Sequence, residues 1–230
     1  MFRNFFKRLK LKMIAKQLRR PHGVMGGKVG TMMNKANGFL YDFTLGVMQP
    51  ANKDNILEIG FGNGKFFDKI FSKAGELKVT GLDFSETMYK AATEFNKETT
   101  GTGQLTLHSG SSDKMPFPAD SFDKVFCINV VYFWDEPQLH LQEIVRVLKP
   151  GGRLYVTART KESMEKMPFT KYGFSFYETG KWKTLLENSG LTFIEERLTD
   201  EPVIDPEAIG FEGNKVVTQS VCSVAEKKLL

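Results

Sequence analysis

Two acidic side chains and a run of glycines stand where apolar segments of this sequence end. Glu58 comes shortly before the pattern Gly60-x-Gly62-x-Gly64, and Asp83 ends the next apolar segment. Glycines let a ligand approach the backbone closely, and the helix expected after them offers free N–H groups. A carboxylate at the end of a second strand accepts hydrogen bonds from the hydroxyls of a ribose. An acid beside the glycines disfavours a pyrophosphate and favours a ligand that carries an ammonium group.

The segments that must position these residues alternate between short apolar strands and amphipathic helices. Strands are predicted at 55–59, 78–82, 104–108, 122–128, 153–157, 191–198 and 216–224. Helices are predicted at 31–48, around 66–70, after Ser85 as the N-cap, at 137–148 and at 179–189. This alternation produces right-handed crossovers and a parallel, doubly wound α/β sheet. Ligands of such sheets bind at the carboxyl ends of the strands, where Glu58 and Asp83 are expected.

The composition excludes several classes of protein. The chain has 230 residues, of which 41% are hydrophobic and 26% are charged, as in globular domains. No run approaches the roughly 18 apolar residues of a membrane-spanning helix. The two cysteines and three histidines lack the spacing of a zinc site, so we expect no metal centre. Residues 1–20 lack the apolar core and cleavage site of a secretory signal, and although an acid-free basic helix is also typical of a mitochondrial transit peptide, they contain no serine. We expect a cytoplasmic protein, peripheral to a membrane if this segment docks there.

The first twenty residues differ from the rest of the chain in charge. They carry eight basic side chains and no acid, whereas the remaining 210 residues have a net charge of −3. Their apolar residues, which recur at helical spacing, are Phe2, Phe5, Phe6, Leu9 and Met13. We divide the chain into a basic amphipathic extension, 1–21, and a body, 22–230. Such a helix lies at a membrane surface or docks on an acidic protein; the alternative is a helix that packs Phe5 and Leu9 on its own body. Because the body is mildly acidic, we expect no nucleic-acid partner.

Four motifs, in this order and spacing, resemble those of the class I S-adenosylmethionine-dependent methyltransferases. They are ILEIGFGNG (56–64), VTGLDFS (79–85), GSSDKMPFPADSFDKVFCINV (110–130) and IVRVLKPGGRLYV (144–156). The resemblance is greatest to the small-molecule branch described as methyltransferase type 11. It implies a Rossmann-like, doubly wound α/β fold, with a mostly parallel seven-stranded sheet, a late antiparallel hairpin and N-terminal helices.

The resemblance also implies a binding site for S-adenosylmethionine. It assigns the methionyl ammonium to Glu58, the ribose to Asp83, and packing against the adenine to Phe84 and Met88. The family usually has an Asp that accepts from the adenine amine where this chain has Ser111. The predicted cofactor-binding residues are Glu58, Gly60, Gly62, Asn63, Gly64, Asp83, Phe84, Met88, Ser111, Ser112, Asn129 and Val130.

Two variable segments build the acceptor pocket in this family, and they correspond here to 22–53 and 159–178. Their methionines and aromatic rings favour a small, apolar or aromatic acceptor under a mobile lid; ordinary packing of the segments is the alternative. The predicted substrate-binding residues are Met25, Met33, Tyr41, Tyr132, Phe169, Tyr172 and Phe176. Methyl transfer is an in-line displacement that depends on alignment and desolvation. If a base is used, the candidates are Tyr132 and His22, while His140 is expected to face solvent.

Two other functions stay open. A nicotinamide-dependent oxidoreductase also has a glycine-rich turn, but Glu58 and a spacing other than Gly-x-Gly-x-x-Gly oppose this interpretation. A non-catalytic module would bind the cofactor and dock through its basic arm. Tight cofactor binding without turnover would identify such a module.

Overall fold

The computed structural model describes residues 2–203 and 217–229, and seven strands form one sheet there. The strands are β1 (Asn55–Ile59), β2 (Lys78–Asp83), β3 (Leu105–Ser109), β4 (Phe122–Ile128), β5 (Leu148–Arg159), β6 (Leu191–Asp200) and β7 (Gln219–Lys227). Their spatial order is β3-β2-β1-β4-β5-β7-β6. The first five strands are parallel, and β7 is antiparallel to β5 and β6. The predicted Rossmann-like fold with its late antiparallel hairpin is confirmed.

Helices cover both faces of the sheet. They are α1 (Phe2–Arg19), α2 (Gly23–Met48), α3 (Phe67–Phe71), α4 (Glu86–Phe95), α5 (Lys97–Gly101), α6 (Pro137–Val147), α7 (Lys161–Glu165) and α8 (Thr179–Asn188). Alternate residues of β4 enter different apolar clusters because successive side chains of a strand point to opposite faces. Val125 packs with residues of α6 and α8, whereas Phe126 packs with residues of α2, α3 and α4. The central strand is therefore buried on both sides.

Helix α2 begins eight residues earlier than the sequence predicts. The glycines before residue 31 indicate a loop, yet Gly23–Met48 is one helix. A Cβ at Gly26 would lie 3.1 Å from Thr87 Cγ2, and a Cβ at Gly30 would lie 3.3 Å from Met88 Sδ. Each glycine costs a helix about 1 kcal/mol relative to alanine. Here both allow α2 to approach α4 closely, so tertiary packing outweighs the local preference.

Strand boundaries in β5, β6 and β7 also differ from the prediction. Strand β5 begins at Leu148, where Lys149-Pro150-Gly151-Gly152 suggests a turn, because the edge of β4 pairs with it across a register shift. Strand β7 begins at Gln219, and residue 216 of the predicted strand lies outside the described residues. None of the described helices is long and apolar enough to cross a membrane.

The carboxyl-terminal half of α1 packs on the body. Ala15 and Gln17 are buried, and Gln17 Oε1 accepts from the backbone N–H of His22 at 3.0 Å. The guanidinium of Arg19 pairs with Asp135. The expectation that Phe5 and Leu9 hold this helix on the body is wrong, since both side chains are about half exposed or more. Residues nearer the carboxyl end of α1 make the contact instead.

Candidate active site

A cavity of about 400 Å³ lies at the carboxyl ends of β1, β2 and β4. The predicted cofactor residues that line it are Gly60, Gly62, Asn63, Asp83, Phe84, Met88, Ser111, Ser112, Asn129 and Val130. Helix α2 supplies one wall with Gly30, Met33, Asn34, Asn37 and Tyr41. Another wall is formed by Leu18 and Arg19, at the end of α1, and by Pro21, which follows two residues later. The volume lies in the range of small-molecule sites, about 300–1,000 Å³.

Asp83 is fixed at the end of β2 by the backbone of two loops. Its Oδ2 accepts from Gly62 N–H and its Oδ1 from Ser85 N–H, each at 2.8 Å. Burial raises the pKa of Asp83 to about 6, although these two hydrogen bonds and the charge of Arg20 oppose the rise. Each carboxylate oxygen has a further lone pair. At neutral pH the cavity therefore contains a mostly ionised, oriented acceptor.

The three glycines after β1 serve different purposes. All have positive φ, of 80° at Gly60, 60° at Gly62 and 71° at Gly64. A Cβ at Gly60 would lie 2.4 Å from Val130, and one at Gly64 would lie 2.6 Å from Asn96 Nδ2. A Cβ at Gly62 would meet nothing within 4 Å. Gly60 and Gly64 thus allow close packing inside the protein, while Gly62 leaves its backbone open to the cavity.

Glu58 does not line the cavity. Its side chain is buried beneath α2, where the hydroxyl of Tyr41 donates to its Oε1. Burial raises the pKa of Glu58 to about 8; the hydrogen bond from Tyr41 opposes the rise and the nearby charge of Asp83 adds to it. The carboxyl is therefore mostly protonated at neutral pH. The structure does not bring this predicted ammonium ligand to the cavity surface. Its hydrogen-bond partner Tyr41 does line the cavity.

Tyr132 supports the cavity from behind and does not line it. Its hydroxyl donates to Asn129 Oδ1 and to the carbonyl of Arg159, both at 3.1 Å. Burial raises its pKa well above the usual value. A buried phenol that already donates within the fold is not a base for a substrate in the cavity. The structure therefore places Tyr132 outside the cavity lining, whereas Asn129, to which it donates, lies in the lining.

Asn129 has a backbone and side chain that are both held in place. Its φ is 58°, in the left-handed region that asparagine tolerates better than most residues. Its Oδ1 accepts from Tyr132, and its Nδ2 donates to Asn37 Oδ1 at 3.0 Å. This pair joins the end of β4 to α2 across one side of the cavity.

His140 is a cavity residue that the sequence pattern did not indicate. It was expected to face solvent, yet it is 9% exposed and lines the cavity. Its Nδ1 lies 2.8 Å from Ser112 Oγ, and its ring stacks on Trp134 with centroids 4.8 Å apart. Burial lowers the pKa of His140, which keeps the imidazole neutral. Its position three residues after Pro137, on the face of α6 that carries Leu141 and Ile144, was the available signal.

Only some of the predicted substrate residues reach the cavity. Met33 and Tyr41 line it, while the other candidates, Met25, Phe169, Tyr172, Phe176 and the proposed base His22, do not. Segment 159–178 instead packs beside the sheet: Phe174 and Phe176 lie 6.0 Å from the ring of Tyr132. Lys12 of α1 lies over Tyr172. The aromatic residues of this segment are explained by packing among themselves, the alternative stated above. Among the described residues no cluster of acidic, histidine and cysteine side chains could hold a metal.

Comparisons with known proteins agree with this geometry. The methyltransferase domain profile matches residues 57–156. The uncharacterized methyltransferase YdaC of Bacillus subtilis is 31% identical over 134 residues, which cover 58% of this chain and 72% of that protein. The demethylmenaquinone methyltransferase of Listeria welshimeri is 33% identical over 135 residues, covering 58% of this chain and 56% of that protein. A chain of the Haloferax volcanii complex between the Trm112 methyltransferase activator and a methyltransferase superposes with a TM-score of 0.73 at 21% identity, covering 87% and 93% of the two chains.

The fold and the cavity together define a Rossmann-like protein with a glycine loop after β1 and a buried acid at the end of β2. The domain match and the extent of the YdaC alignment specify the family. The chain belongs to the class I S-adenosylmethionine-dependent methyltransferases. Membership of this family implies the use of S-adenosylmethionine.

Proposed function

We propose that this methyltransferase binds S-adenosylmethionine in the cavity at the ends of β1, β2 and β4, and methylates a small, partly apolar or aromatic acceptor. The observation that carries the proposal is the contrast within the cavity. Asp83 provides a carboxylate beside the open backbone of Gly62. Elsewhere the walls include the apolar side chains Met33, Phe66 and Phe133.

The residues present fit the cofactor. Asp83 keeps free lone pairs for the ribose hydroxyls, and Phe84 and Met88 offer apolar surface next to it. The Oδ1 of Asn63 is buried with no hydrogen-bond partner among the described residues. A buried unpaired acceptor costs about 1–3 kcal/mol, and a donor on the cofactor would remove this cost. Ser111 and Ser112 supply hydroxyls at the position where the family has the adenine-recognising acid.

Held by Asp83, Phe84 and Met88, S-adenosylmethionine would supply a methyl group on a sulfonium sulfur, which would become a neutral thioether when the methyl passes to the acceptor. The protein's contribution is alignment and exclusion of water. Asn129 and Asn37 hold each other across the cavity. Arg19 pairs with Asp135 at its edge. Tyr132 already donates its hydroxyl within the fold, so it does not serve as a base for the acceptor.

The acceptor class follows from the walls that the cofactor residues do not account for. Met33, Phe66, Phe133 and Leu139 supply apolar surface, and Asn34 and Asn37 supply amide groups. This mixture suits a flat ring with one or two polar substituents. The relative that acts on demethylmenaquinone supports an apolar, aromatic acceptor.

Calorimetry and a turnover assay test the proposal together. S-adenosylhomocysteine should bind the purified protein, and Asp83→Asn should weaken binding about tenfold or more. Methyl transfer from radiolabelled S-adenosylmethionine should then be detected with hydroquinones, naphthols or catechols and not with glycine or sarcosine. Lys97→Gln, an exposed position on α5, is the matched control. Tight cofactor binding with no transfer to any acceptor would favour the non-catalytic module; preferential binding of a nicotinamide dinucleotide would contradict the site assignment.

A further inference from the structure

Helix α1 presents an apolar surface that faces away from the rest of the described protein. This outer face consists of Phe5, Phe6, Leu9 and Met13, which are between 49% and 63% exposed. At 3.6 residues per turn the four side chains fall within an arc of about 100°. The inner face, on the opposite side of the helix, consists of Leu11, Ile14, Ala15 and Leu18, all buried or half-buried. The inner face packs on the body, and the fold makes no comparable use of the outer face.

Basic side chains flank the outer face on both sides. On the helical wheel Lys10 follows Phe6, and Lys12 precedes Phe5. Lys16, also exposed, falls about 20° past Phe5, and α1 contains no acidic residue. Long basic side chains beside a narrow apolar arc can reach lipid phosphates while the apolar groups enter the acyl boundary. An acidic protein surface would be attracted to the charges but gives no reason for four exposed apolar side chains in a convex row.

We propose that the outer face of α1 docks on an anionic lipid bilayer. The helix lies in the interface plane with Phe5, Leu9 and Met13 inserted. Lys10, Lys12 and Lys16 contact headgroup phosphates. The inner face keeps α1 attached to the body through Ala15 and the Arg19–Asp135 pair, so the whole protein follows the helix to the bilayer.

The same helix connects the bilayer to the cavity. Leu18 and Arg19 line the cavity, and Leu18 lies five residues after Met13, about 8 Å along the helix axis. An apolar acceptor dissolved in the bilayer would therefore have a short path to the site. This last step rests on the proposed function, whereas docking does not, and the experiments below are done without cofactor or acceptor.

Co-sedimentation with vesicles tests the docking surface. The full chain should pellet with phosphatidylcholine–phosphatidylglycerol (7:3) vesicles. The triple variant Phe5→Gln, Leu9→Gln, Met13→Gln should lose about a hundredfold in partitioning, because three half-buried apolar side chains are removed. The matched control changes exposed apolar residues elsewhere, Phe95→Gln, Ile194→Gln and Leu198→Gln, and should bind as the parent chain does. Glutamine is a good helix former, so α1 should persist, which circular dichroism checks.

The charge requirement has its own variant. Lys10→Gln, Lys12→Gln, Lys16→Gln should also weaken partitioning about a hundredfold, since each basic residue near an anionic surface contributes about fivefold. The control Lys73→Gln, Lys97→Gln, Lys181→Gln alters the net charge equally at exposed sites elsewhere. In Leu9→Trp the new indole fluorescence should shift to the blue with vesicles, and in Leu198→Trp it should not.

Several results would overturn the inference. The full chain would remain in the supernatant with anionic vesicles if the outer face had no lipid affinity. Equal losses of vesicle binding in a variant and its control would show that the lipid-binding surface does not lie on α1. Unchanged binding of the apolar triple variant would leave charge alone as the cause. Self-association that the same variant abolishes, without vesicle binding, would assign the outer face to a second copy of the chain.

Discussion

Replacing Glu58 by glutamine separates two roles that this acid could have. The sequence assigns it to the ammonium group of the cofactor, whereas the structure buries it against the hydroxyl of Tyr41. Glu58→Gln keeps an oxygen that accepts from Tyr41 and removes the ionisable proton. The substitution therefore leaves the hydrogen bond in place and abolishes the cost of a buried charge.

The size of the effect follows from the pKa. Burial raises the pKa of Glu58 from 4.5 to about 8, and a difference of one in pKa corresponds to about 1.36 kcal/mol, so the whole range corresponds to about 5 kcal/mol. Because the folded pKa is the higher one, the protonated carboxyl's stabilising contribution is complete below pH 4.5. It is lost as the pH rises to about 8. The parent chain should lose stability over this window, and the variant should lose less.

Urea unfolding at pH 5, 7 and 9 measures the difference. The titration of Asp83, with a pKa of about 6, contributes to both proteins and largely cancels in the comparison. At pH 5 the two midpoints should nearly coincide, and at pH 9 Glu58→Gln should be the more stable, with unchanged m values. In Tyr41→Phe the hydrogen bond that lowers the pKa of Glu58 is absent, so the decline should extend to higher pH. Parallel stability curves for the parent and Glu58→Gln would refute the burial argument.

Binding gives an independent check on the same variant. Because Glu58 is not part of the cavity lining, Glu58→Gln should bind S-adenosylhomocysteine within about threefold of the parent, a difference below 1 kcal/mol. A loss of tenfold or more would restore the direct ammonium contact that the sequence predicts.

Three further predictions concern the cavity and its surroundings. The affinity for S-adenosylhomocysteine, measured by calorimetry, should fall below pH 6 as the carboxylate of Asp83 is protonated, and this pH dependence should be absent in Asp83→Asn. Tyr132→Phe should lower the free energy of unfolding by about 1–3 kcal/mol, because Asn129 Oδ1 loses a buried donor, and cofactor affinity should not change; a tenfold loss of affinity would return Tyr132 to the site. Amide exchange should slow at 30–41 when S-adenosylhomocysteine binds and stay unchanged at 161–177, whereas equal slowing would make the second segment part of the lid.

The sequence was sufficient for features that depend on neighbouring residues. Asp83 could be placed because an acid that ends an apolar strand must lie at the carboxyl edge of a parallel sheet. The structure fixes it there by two backbone N–H groups. The tight turn at 60–64 could also be predicted, since a turn between β1 and α3 needs positive φ, which glycine adopts readily. Strand boundaries in this half of the sheet agree with the prediction within one residue.

Features that depend on distant contacts could not be read locally. The glycines of α2 indicate a loop until Met88 and Thr87 are known to lie against them. His140 looks solvent-facing until Trp134 stacks on its ring. The aromatic residues of 159–178 resemble a substrate pocket because composition does not distinguish rings that line a cavity from rings that pack together. In each case the deciding partner is remote in sequence or its orientation is set by the tertiary fold.

Glu58 and Asp83 make the same point about charge. Both are acids at the carboxyl ends of adjacent parallel strands, and both are almost fully buried. Asp83 accepts two backbone hydrogen bonds and lies near the guanidinium of Arg20, so its pKa rises only to about 6. Glu58 has one hydroxyl donor and a nearby like charge, so its pKa rises to about 8. At neutral pH Asp83 is therefore a charged acceptor in the cavity, whereas Glu58 is neutral and accepts from Tyr41. Residue type alone does not predict this difference between the two acids.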